Sequence, residues 1–203
     1  MADEQWWLKC SAPDVMIELL AAQGTPRKLL LFAIACEERE RDSVVFSRSI
    51  TARCDSLLKQ CASGELTLES ASRIAARASA SSLRWAGSGV LPNYMAGTPY
   101  AQKHDERMAR LASRESSKQC EFLRDIFGNP FRPVSVDPAW RTTTVLSLAQ
   151  AIYDERAFER LPILADALKE AGCSNADLLN HCRQPDEHVR GCWVVDLILS
   201  KDR

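Results

Sequence analysis

The chain has 203 residues, 46% of them hydrophobic and 26% charged, with a formal net charge of -1. That is the balance of a soluble globular protein with room for one substantial core or two small ones, and it provides no global field toward nucleic acid or an anionic membrane. No apolar run approaches the roughly 20 residues that span a bilayer, and MADEQWWLKCSAPD, acidic first, does not read as a secretory signal, so a cytoplasmic location is expected.

Helix signals dominate the pass along the chain. Ser11, Pro13 and Asp14 give a capped start to VMIELLAA, with an apolar stripe at Val15, Ile17, Leu19 and Leu20. Thr25-Pro26 supplies an N-cap and a first-turn proline for a helix whose Leu29, Leu30, Phe32, Ala33 and Cys36 face inward. Residues 44 to 62 continue helically on Val45, Ile50, Leu57, Leu58 and Cys61. Over 65 to 86, Ile74, Ala78, Ser81 and Trp85 share one face. Arg73, Arg77 and Arg84 lie within roughly 40° of one another on a neighbouring face at 100° per residue.

Glycines and prolines make 86 to 100 a loop. Thr98-Pro99 then caps a long helix to Phe127, stopped by Gly128, with a break expected near Ser113 to Ser117 where the apolar period lapses. Three prolines in 129 to 138 exclude extended regular structure; Phe127 and Phe131 are expected to plug this connector into the helices on either side. Further helical segments follow, with a break at Leu161-Pro162 and a last helix starting at Pro185 or Asp186. The fold class expected is all-α, a compact multi-helix bundle with a C-terminal helical-hairpin array. It divides into a helical region 1–127, a proline-rich joint 128–139 and a hairpin region 140–203, or forms one continuous domain.

The blocks LRDIFGNPFRPV, DPAWRTTTVLSLAQAIYDERAFERLPILADAL and HCRQPDEHVRGCWVVDLIL, with WWLKCSAPDVMIELL near the start, resemble a family of uncharacterised, highly paralogous bacterial proteins. The resemblance covers both ends of the chain and implies a shared fold. It implies no activity. That family often has Cys-Cys-Arg-Arg where this chain has Cys36-Glu37-Glu38-Arg39.

Chemistry concentrates in HCRQPDEHVRGCW, residues 181 to 193, which hold two of three histidines and two of eight cysteines. No CxxC pair is present, and the default reading of the cysteines is as small buried hydrophobes. The default for this stretch too is structural, a helix packed by Val189, Cys192, Trp193, Val195 and Ile198. A second reading is a zinc site of Cys173, Cys182, His188 and Cys192, with His181 as a substitute for Cys182; His188 and Cys192 are four apart and would share a helix face. A third is a Cys182 or Cys192 nucleophile with His181 or His188 as base, oriented by Asp186 or Asp154, since Asp196 is two turns from His188. The expected function is a non-enzymatic interaction module, an adaptor or accessory subunit without a cofactor that binds another protein. Its candidate partner contacts are Arg73, Arg77, Arg84, Phe131 and Arg132. Three arginines with few interleaved aromatics and no basic isoelectric point argue against nucleic acid. The alternative is a zinc-stabilised or cysteine-dependent protein acting through Cys173 to Cys192.

Overall fold

Capped helix starts followed by apolar stripes run through the chain, and the computed structural model is all-α, with no strand among the described residues. These are 2–22, 24–41, 56–86 and 97–201; the expectations for 44–55 and 87–96, and for the packing of Trp85, lie outside them. Helices α1 (Glu4–Lys9), α2 (Pro13–Ala21), α3 (Pro26–Arg41), α4 (Leu68–Ala86) and α5 (Pro99–Phe127) are followed by α6 (Thr143–Glu155), α7 (Leu161–Glu170), α8 (Ala176–Arg183) and α9 (Trp193–Ile198). Residues 56 to 62 are also helical. No helix among the described residues is long and apolar enough to cross a membrane.

The chain divides into two compact units, residues 8–123 and a discontinuous unit of 1–7 with 124–203. The division falls inside α5, whose last turn belongs to the second unit. The proline-rich segment 128–139 lies wholly in that unit.

In unit 8–123, α3 packs on α4 and α2 packs on α4 as well. Every residue from Leu29 to Cys36 is buried, the condition of a helix apolar all round. The stripe of α2 runs through Pro13, Met16, Ile17 and Leu20, whereas Val15 is exposed. Ser11 does not cap this helix: the N-cap is Ala12, without a side-chain bond, and proline in the first turn sets the start. The inward face of α4 is also rotated from the expected one, through Ala71, Ala75, Ala78, Ser79 and Ser82, with Ser81 exposed.

The serines turn inward because α5 offers polar partners. Ser79 Oγ donates to Gln119 Oε1 at 2.6 Å, and Gln119 Nε2 returns a bond to the Ser79 carbonyl at 3.3 Å. Ser82 Oγ donates to Glu115 Oε1 at 2.9 Å, and Arg39 of α3 meets Glu115 Oε2 at 2.9 Å. The break expected near Ser113 to Ser117 does not occur: α5 runs unbroken through this stretch, where Ser117 Oγ bonds back to the Ser113 carbonyl and Ser116 Oγ bonds the Ser11 carbonyl.

In the second unit, α7 packs on α6 and α8, and α9 packs on α6 and α8. Their core is apolar, built on Val145, Ile152, Leu161, Leu164, Leu168, Leu178, Val194 and Ile198. Thr142 and Asn175 cap α6 and α8, accepting from the amides of Val145 and Leu178. The break after α6 comes at Arg156–Arg160, and Leu161-Pro162 instead opens α7, where a first-turn proline costs no hydrogen bond. Phe131 stays 38% exposed. Val134, Val136 and Trp140, not Phe131, pack the connector onto the core.

Replacing Gln119 by Leu strands the hydroxyl of Ser79 in a buried position. Urea unfolding is expected to show a loss of about 1–3 kcal/mol, reduced when Ser79 is also replaced by Ala.

Candidate metal centre

Asp125 lies in the last turn of α5, where the helix dipole disfavours an anion, and it is only 4% exposed. Its carboxylate is held from three directions. Oδ1 lies 2.6 Å from His188 Nδ1 and 3.1 Å from His181 Nε2, and Oδ2 accepts the Val189 amide at 2.8 Å. His181 Nε2 is also 3.3 Å from Cys192 Sγ. One donor atom from each of Asp125, His181, His188 and Cys192 lies within 4.8 Å of the other three.

Local structure delivers each group. His181 belongs to the last turn of α8. The last helix does not start at Pro185 or Asp186; residues 184 to 192 are irregular, and α9 begins at Trp193 with Cys192 as its N-cap residue. His188 and Cys192 therefore meet through a loop and share no helix face. Trp193 stands 5.2 Å from the His181 ring and covers Gly128. Gly128 ends α5 at φ +69°, and a Cβ there would come within 3.2 Å of the indole.

Burial pushes the Asp125 carboxyl up, but the hydrogen bonds and charge of His181 and His188 outweigh it, so the group lies below the usual carboxylate range. Burial pulls His188 down, and its bond to Asp125 with that carboxylate's charge outweighs this too, so its pKa is raised. Burial pushes the Cys192 thiol well above its ordinary value, reinforced by Asp125 and Cys182; the amides of Val194 and Val195 oppose by less. Nε2 of His188 is buried and has no hydrogen-bond partner.

The residues named from the sequence divide cleanly. His188 and Cys192 join the cluster, and His181 enters with them. Cys173 and Cys182 are buried in the apolar core outside it, and burial with the neighbouring Cys173 pushes Cys182 up to about 12. Asp186 is exposed, and Asp154 accepts from Gln150 at 2.8 Å; the carboxylate at the histidines is Asp125. Arg73, Arg77 and Arg84 are exposed on α4. Arg132 is engaged within the unit, by Glu4 at 3.4 Å and Asp177 at 3.8 Å.

A cysteine nucleophile relay needs both imidazole nitrogens, one toward sulfur and one toward the carboxylate. Here Nε2 of His181 faces both, so the four donors converge on a point and do not form a chain. Comparison with protein-family profiles, curated proteins and solved structures found no significant match.

Two measurements check this geometry. Alkylation of the native protein is expected to leave Cys173, Cys182 and Cys192 unlabelled, with mass spectrometry finding them modified only after denaturation. Gly128→Ala is expected to cost about 1–2 kcal/mol in urea unfolding from the left-handed backbone alone, and more from the indole contact.

Proposed function

We propose that the chain is a non-enzymatic helical interaction module whose second unit is held together by one zinc ion bound to Asp125, His181, His188 and Cys192. The observation that carries the reading is the convergence of these four donors. A tetrahedral zinc site with bonds of about 2.0–2.3 Å has donor separations of roughly 3.3–3.7 Å. The observed 3.1 and 3.3 Å are close to that range, the 2.6 Å pair must open by about 0.7–1.1 Å, and no pair of donors is more than 4.8 Å apart.

Charge supports the same reading. A dication with one carboxylate and one thiolate gives a neutral buried set, and metal coordination deprotonates a thiol that burial otherwise keeps protonated. Four protein donors fill the tetrahedron and leave no position for substrate, which is the pattern of structural rather than catalytic zinc. Another protein is the proposed partner, with exposed Arg73, Arg77, Arg84 and Phe131 as candidate contacts.

Elemental analysis of untagged protein never exposed to chelator is expected to find about one zinc per chain. Asp125→Asn and His181→Ala should lose most of it and melt lower, whereas Cys173→Ala should keep it. Cobalt substitution should give the absorption of a tetrahedral thiolate site. Protein purified without metal that neither takes up zinc nor gains stability on its addition would leave the cluster as a hydrogen-bonded carboxylate and overturn the reading.

A further inference from the structure

The metal donors are interleaved with the residues that hold the segment Glu4–Trp7. Arg124, the residue before Asp125, donates from Nε and Nη2 to the Trp7 carbonyl at 3.0 and 2.8 Å. Trp7 is 1% exposed. Asn129 Nδ2 donates to Glu4 Oε1 at 3.0 Å, and Arg132 Nε lies 3.4 Å from the same oxygen. Between these grips is Gly128, covered by Trp193, the residue after Cys192 and ring neighbour of His181.

Resting on the zinc reading above, we propose that filling the site locks the segment Glu4–Trp7 onto the second unit, so that metal loading governs release of the amino-terminal helix. The ion fixes Asp125 and hence the direction in which Arg124 leaves α5. It fixes Cys192 and His181, which set the Trp193 indole against Gly128 and thereby aim Asn129 and Arg132 at Glu4. Without the ion, the loop 184–192 keeps the hydrogen bonds of His188 and Val189 to Asp125 but loses the hold of the metal, and both grips loosen together.

Hydrogen exchange of the full chain, followed by mass spectrometry before and after stoichiometric zinc is added to chelated protein, tests the lock. Amides of residues 4 to 9 are expected to exchange on the order of tenfold more slowly with zinc, within the ordinary range of coupling between sites. Because coupling is reciprocal, Arg124→Met should free the segment and weaken zinc binding by the same factor, with zinc still bound. Zinc that binds while the protection of residues 4 to 9 stays unchanged overturns the lock and leaves the metal site standing. Failure to bind zinc at all overturns both. If chelation unfolds the whole unit, the zinc affinity of Arg124→Met decides: a loss of about tenfold supports the lock, and unchanged affinity refutes it.

Discussion

An ionised carboxylate taken out of water must be met by donors or a cation, or it will not stay ionised. Asp125 sets that condition for the second unit. It lies at the end of a helix that opposes its charge, and its partners come from the far side of an intervening sequence, with His188 63 positions on. Meeting the carboxylate gives residues 184 to 192 a fixed path without regular structure, because His188 and the Val189 amide must arrive together. The position of Cys192, and so the start of α9, follows from that path.

The two units balance polar and apolar groups differently. The helices around Val145, Leu164 and Val194 make an apolar core that admits two buried carboxylates, Asp125 and Asp196. The unit of α2 to α5 instead distributes small polar groups along the seam between α4 and α5, where Ser79, Ser82, Glu115 and Gln119 satisfy one another. Apolar side chains tolerate sliding by a turn, whereas a ladder of matched donors and acceptors does not. Such a seam specifies which turn of one helix meets which turn of the other.

This contrast also explains what could be read from the sequence. Helix existence and two caps were plain, since Thr25 and Thr98 act locally through their own hydroxyls. Phase was less accessible. Phasing α4 on Ile74, Ala78 and Trp85 brings Ser81 onto the inward face, whereas partners on α5 turn Ser79 and Ser82 inward, and the polar run at Ser113 to Ser117 looks like a break because such partners leave no local sign. The site was half legible. His181, His188 and Cys192 stand out because histidine is scarce, but their meeting rests on a loop path with no local signature. Asp125 is one of 27 acidic residues, and nothing near it marks it. Cys173 and Cys182 suit metal by type alone, and burial among leucines makes them core.

Continuity along the chain is the remaining consequence. The bond from Arg124 to Trp7 joins residues 117 positions apart, and contacts at that separation are slow to form because a long loop must close first. A ribosome adding about 5–20 residues per second finishes Trp7 on the order of ten seconds or more before Cys192. Until Arg124 has been made, the Trp7 carbonyl lacks that native partner, and α1 is a segment on which a nascent-chain chaperone can act.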